Sequence, residues 1–208
     1  ESIYEQFDNS PLGPANSMFV ASGRILQSRS IKMGRFYRLY CAVLVQPVKG
    51  SWMNFVLYSD NFGGDWRVLG GVDVSPIPRQ ADEAKVEELP DGSVLISSRI
   101  GGGRQFNIFK YSDIASGKGQ WGEMAMSGAA NRGVESKNNA CNGELMLLPA
   151  RRVSDGKDVY LLLQSVPFGP QRTNVGIYYK ELETLADFVS PEAIAADWDG
   201  RHQSSYLA

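Results

Sequence analysis

The chain lacks most of the features that mark whole classes of function. Its 208 residues carry nearly balanced charge, 21 basic against 23 acidic, with a single histidine. Basic residues form no long run, which argues against a nucleic-acid footprint and against a polybasic membrane patch. No apolar stretch approaches the roughly 20 residues of a membrane span. The two cysteines, Cys41 and Cys141, say little about redox compartment, and no cysteine–histidine spacing suggests zinc. Cys41 lies in the apolar run Leu39–Val45 and is expected to be a buried free thiol. The sequence opens at Glu1 without a start methionine or a signal peptide, so a targeting segment is expected to have been left out or removed.

Helical periodicity is also nearly absent. Strand composition punctuated by turns dominates, with 22 glycines and 11 % aromatic residues, and this predicts an all-β fold. One strand–loop–strand unit occurs three times: Phe36–Val45 with Trp52–Ser59, Ser93–Arg99 with Arg104–Ser112, and Asp158–Val166 with Arg172–Lys180. The tyrosines near the unit ends, Tyr58, Tyr111 and Tyr179, are 53 and 68 residues apart. Antiparallel repeats of this length predict propeller blades rather than a sandwich. Glu83–Glu88 and Gly143–Leu148 are expected as inner strands of two units. Repeat units fall at about 18–66, 83–121 and 140–180, and a tail follows over 181–208. Three blades do not close a ring of about four to eight, so the chain is expected to supply about three to four blades of a larger propeller. Glu181–Ala196 alone has modest helical character and is expected to be an insertion or long inter-strand loop.

The segment from Glu83 to Arg99 is the most informative. Pro90-Asp91-Gly92 is a turn signal between strand-forming runs, and a hairpin centred on Asp91 sets Glu83 opposite Arg99. On these residues alone, the pair is either a structural ion pair or half of an active site.

Two motifs carry a resemblance. Ser59-Asp-Asn-Phe-Gly-Gly-Asp-Trp66 resembles the Asp-box turn of sialidases, Ser-x-Asp-x-Gly-x-Thr-Trp. Asn61 stands for the Asp and Asp65 for the Thr, with Gly63 at the unusual φ and Trp66 packing between strands. Tyr111-Ser-Asp-Ile with Trp121 is a remnant of the same turn. The Glu83–Arg99 hairpin resembles the sialidase segment Glu-x-x-Val-x-Glu-Leu-x-Asp-Gly-x-Val-x-Leu-x-x-Arg, with Ile96 in place of Leu. Leu161 to Asn174 resembles the segment bearing that family's third carboxylate-binding arginine, here Arg172, which is expected to open a return strand.

The resemblance, which runs from about Met18 to Arg172, implies a six-bladed sialidase-type β-propeller and an exo-sialidase that hydrolyses terminal α-linked sialic acids with retention. Glu83 would polarise a nucleophilic tyrosine, and Arg99 and Arg172 would be the second and third arginines of a triad gripping the substrate carboxylate. The first arginine and the acid/base aspartate are not found here and are expected N-terminal to Glu1. The tyrosine is Tyr206 or lies just past Ala208. Asn142 is expected at the pocket floor or in turn chemistry, and Arg24 near the rim. Arg104 is expected to face solvent, contact with substrate being the alternative, and His202 to lie on the surface. No metal or other cofactor is implied. The partners would be sialylated glycoproteins, glycolipids and oligosaccharides, and the location secreted, periplasmic or cell-surface. A sialoglycan-binding propeller without catalysis and a structural or interaction propeller are the competing readings.

Overall fold

The computed structural model of the chain describes residues 2–21, 24–138, 140–188 and 190–199. These residues form three antiparallel sheets in succession along the chain, with few helical residues. The first contains β1 (Ala15–Val20), β2 (Leu26–Met33), β3 (Phe36–Pro47), β4 (Met53–Ser59) and β5 (Arg67–Val68), with β1 and β2 both pairing with β3. The second contains β6 (Ala84–Glu88), β7 (Val94–Ile100), β8 (Gly103–Asp113), β9 (Lys118–Trp121) and β10 (Ala125–Ser127), in the order β6-β7-β8-β10 with β9 also on β8. The third is β11 (Leu145–Arg151), β12 (Asp158–Pro167) and β13 (Val175–Leu182). The architecture is the expected all-β propeller type. Among the described residues no helix is long and apolar enough to cross a membrane.

The sheets stack through apolar layers, so the central strands are buried on both faces. This is why β7 reads as the apolar run Val-Leu-Ile rather than as an alternation. Val94 and Ile96 pack toward the first sheet with Tyr40, Val56, Leu69, Val86 and Phe109. Leu95 packs the other way with Phe106, Ile108, Leu145, Leu162 and Val166 against the third sheet. The outer face of the first sheet packs Val43, Phe55 and Leu57 against Phe7 of a short 3-10 turn, Glu5–Phe7. Cys41 is buried and free, as expected.

The turn resembling an Asp-box is held by its own side chains. Asn61 Oδ1 accepts from the Ser59 hydroxyl at 3.0 Å and from the Asp65 N–H at 2.8 Å, and Ser59 Oγ accepts from the Gly63 N–H at 2.9 Å. Gly63 has φ +87°, which a residue with a Cβ adopts at a cost. Trp66 packs on the outer layer of the first sheet. Beside this turn, fully buried Arg38 is paired bidentately with Asp60 at 2.7 and 2.8 Å and lies 4.6 Å over the Tyr58 ring.

The stretch expected to have modest helical character does contain a short helix. The α-helix α1 (Pro191–Ala195) and the residues after it pack into the layer between the second and third sheets. Trp198 stacks on Phe106 with ring centroids 5.8 Å apart, and the Ser127 hydroxyl donates to the Ala195 carbonyl at 2.6 Å.

Candidate functional site

The hairpin of β6 and β7 has the register expected from its turn. Ala84 pairs with Ser98 and Glu88 with Val94, so Glu83 and Arg99 are opposite one another just past the ladder. The Arg99 N–H donates to the Glu83 carbonyl at 3.2 Å, and Arg99 Nη1 meets Glu83 Oε2 at 2.6 Å. The same Nη1 lies 3.3 Å from Asp82 Oδ2. A guanidinium presents five donors, so these contacts through one nitrogen leave Nε and Nη2 to meet a further anion.

Asp82 and Glu83 sit side by side and move in opposite directions. Burial, together with its contact to Glu83, pushes the Asp82 carboxyl above its ordinary value. Burial opposes the charge of Glu83 as well, but hydrogen bonds with Asp82 and Arg99 outweigh it and hold Glu83 below the ordinary range. Glu83 is therefore ionised at neutral pH. Burial pulls the Arg99 guanidinium down, but Glu83 and Asp82 outweigh it and hold the group firmly charged.

Strand alternation puts Glu83, Lys85, Ser97, Arg99 and Arg104 on the face of the second sheet that looks toward the third. Ser97 Oγ donates to Gln164 Oε1 of β12 at 2.8 Å, and the Leu147 N–H of β11 donates to Glu87 Oε2 at 3.0 Å. Ser97 pairs with Lys85 and Gln164 with Leu145, so β7 and β12 run in the same direction at the same level. Both strands then deliver their following loops to one end of the molecule. Arg99 and Arg172 consequently share that end. β4 starts there too, because Asn54 Nδ2 donates to the Asp82 carbonyl at 2.9 Å; it ends at Ser59, placing the Asp-box-like turn at the far end.

The other candidates are placed as follows. Arg172 does not open β13: it lies in a 3-10 turn, Pro170–Arg172, three residues before that strand begins. Its loop passes through left-handed backbone at Gln171, Arg172 and Asn174, conformations that cost about 1–3 kcal/mol each and cluster at ligand sites. Arg172 is exposed and makes no ion pair with the described residues. Arg24 pairs with buried Glu87 and donates to the Leu145 carbonyl at 3.3 Å. Asn142 is half-buried next to Gly143, where a Cβ would come within 1.9 Å of the Ser165 carbonyl oxygen; only glycine lets this segment lie so close to β12. Tyr206 and His202 lie outside the described residues.

Arg104 corrects the expectation of a solvent-facing side chain. It is 1 % exposed. It follows the start of β8 at Gly103, and the strand carries it inward beside Arg99. The residues missed by motif reading are Asp82, Lys85 and Gln164. The alternation from Glu83 is the signal that could have found Lys85, and the Arg99–Arg104 pairing across a tight turn could have placed Arg104 inward.

No protein-family model and no curated protein matches this sequence. Solved structures do. The Hadza microbial sialidase Hz136 superposes with a TM-score of 0.53 at 21 % identity, over 78 % of this chain and 28 % of that one. A Trypanosoma rangeli sialidase in complex with 2,3-difluorosialic acid (covalent intermediate) gives 0.55 at 15 % identity, over 83 % and 25 %. The same enzyme in complex with the inhibitor DANA gives 0.53 at 14 %, over 80 % and 24 %. The chain spans about a quarter of the length of these structures, and what it shares with them is the sialidase-type β-propeller fold.

Proposed function

We propose that this chain carries part of the active site of an exo-sialidase that removes terminal α-linked sialic acid from glycoconjugates. The supporting observation is the Glu83–Arg99 pair at the same molecular end as Arg172, which makes no ion pair among the described residues, within a sialidase-type fold. Sialic acid bears its carboxylate on the anomeric carbon. A carboxylate nucleophile would be driven against that like charge, so a neutral tyrosine is the better attacking group. Glu83, held ionised, accepts the phenol proton as the tyrosine attacks the anomeric carbon. The glycosidic bond breaks, and the aglycone oxygen takes its proton from the acid/base aspartate that the sialidase resemblance implies. Tyr206 is this chain's candidate for that tyrosine.

Arg99 and Arg172 grip the substrate carboxylate with charge-assisted, bidentate bonds, a geometry that lysine does not reproduce. Hydrolysis of the tyrosyl glycoside then gives net retention. The test is turnover of a fluorogenic sialoside by the full-length protein and its Glu83→Gln and Arg99→Ala variants. Both variants should lose most activity. Near wild-type turnover in either removes the site assignment, and binding of sialic acid without turnover would instead identify a sialoglycan-binding propeller.

A further inference from the structure

Arg104 is a buried cation with no carboxylate in contact with it among the described residues. Its three hydrogen bonds go to neutral acceptors: Nε to Ser97 Oγ at 2.9 Å, Nη2 to the Ser97 carbonyl at 2.9 Å, and Nη1 to the Cys141 carbonyl at 3.4 Å. No carboxylate among the described residues lies within ion-pair distance of it. Its direct cross-strand neighbour is another cation, Arg99. Like charges directly opposite on a sheet destabilise it; Glu83, Asp82 and Glu144 act on Arg104 only from beyond ion-pair distance, and together they do not offset its burial. Burial lowers the guanidinium's pKa to about 10, so it still carries its charge at neutral pH.

Folding alone does not account for such a residue, because an apolar side chain of similar volume would be neutral or stabilising there. The neighbouring polar groups show where the charge acts. Ser97, which accepts from Arg104, donates to Gln164, and Gln164 Nε2 donates to the Glu144 carbonyl at 3.0 Å. Arg104 thus ties β7, β12 and the Cys141–Glu144 segment into one rigid wall behind Arg99.

We infer that Arg104 is a positioning residue for anion recognition: a fixed positive charge behind Arg99 that is compensated when a ligand carboxylate docks on the Arg99 guanidinium. The inference rests on the proposed function for the identity of that ligand, though not for its charge. A full charge several ångströms from the carboxylate, at an effective dielectric of about 20, is worth roughly a tenfold or greater change in affinity.

The test uses the full-length protein with Arg104→Gln, which keeps hydrogen bonding without charge, and Arg104→Lys, which keeps the charge; circular dichroism verifies folding. Three probes are titrated: sialic acid, its methyl ester and acetate. Arg104→Gln should weaken sialic acid and acetate about tenfold and leave the ester unchanged, and Arg104→Lys should restore most of the loss. A purely structural role would move all three probes together and would overturn the inference. If wild type binds acetate but not sialic acid, and Arg104→Gln weakens acetate, the sialidase reading fails and the role of Arg104 stands. Equal affinities of wild type and Arg104→Gln for both anions, including no binding of either, overturn it. If Arg104→Gln does not fold, Arg104→Lys carries the comparison: near wild-type affinity for both anions supports the charge role, and a loss shared by the ester overturns it.

Discussion

Glu83 and Arg99 keep 33 % and 20 % of their side chains exposed. An ion pair so placed contributes about 0–1 kcal/mol to stability. The chemical role proposed for it is far larger: leaving a bound carboxylate partly unpaired costs about 2–5 kcal/mol of transition-state binding. Stability and activity should therefore separate. Glu83→Gln is expected to shift the thermal midpoint little while reducing kcat on a fluorogenic sialoside by at least about a hundredfold; loss of both in proportion would reduce the pair to a structural one. The adjacent Asp82 makes a second prediction. Its folded pKa is raised, so the folded state holds that proton more tightly, and its contribution to stability is present at low pH and lost as pH rises toward the raised value. Glu83, lowered, has the opposite sign: its contribution is lost as pH falls through its folded value. Relative to Asp82→Asn, the wild type should thus lose stability as pH rises above the ordinary aspartate value of about 4. The change should stay below about 1 kcal/mol because Asp82 is 40 % exposed. Denaturant titrations across that rise read it, and a wild type that gains stability relative to Asp82→Asn as pH rises would contradict the assignment.

Strand by strand, the outgoing and return strands and the inner strands of the second and third sheets were legible because composition and turns agree there. Pro90-Asp91-Gly92 alone specified the β6–β7 register. What composition could not show is how the innermost strands meet. Glu87, fully buried, accepts from Arg24 and Arg29 of the first sheet and from the Leu147 N–H of the third. Arg29 also donates to the Leu147 carbonyl at 3.1 Å. These contacts satisfy backbone groups along the inner edge of β11, and they join residues about 60 to 120 apart in sequence, beyond the reach of any local pattern. Arg24, expected at a substrate rim, is thereby drawn into an inter-sheet tie. Glu87→Ala should cost about 2–3 kcal/mol, chiefly by orphaning the buried Leu147 N–H, with Glu87→Gln milder. Arg24→Ala should lower stability and leave the KM for sialoside unchanged; a raised KM with full stability would return Arg24 to the substrate rim. The burial of Arg104 and the docking of α1 escaped for the same reason, since both depend on which sheet lies opposite.

At the scale of the whole molecule, the proposed site exists only if the second and third sheets hold a fixed relation. Arg99 belongs to one sheet and Arg172 to a loop of the other, while Leu95, Phe106, Leu145, Leu162 and Trp198 fill the layer between them. If both arginines grip one carboxylate, removing either leaves the other with a partner it can no longer hold in a bidentate frame. The effects of Arg99→Ala and Arg172→Ala on kcat/KM should then be non-additive, with a coupling of about 0.5–3 kcal/mol. The same cycle on thermal stability should show additivity within about 0.5 kcal/mol, because the two guanidinium groups make no contact with each other among the described residues. Trp198→Ala, which opens a cavity in the intervening layer, is expected to cost about 3–5 kcal/mol of stability. In the fraction that remains folded it should also shrink the Arg99–Arg172 coupling. Additive kinetic losses with an intact layer would show that the two arginines act on different groups, and Arg172 would then lose its place in the site while Arg99 kept its own.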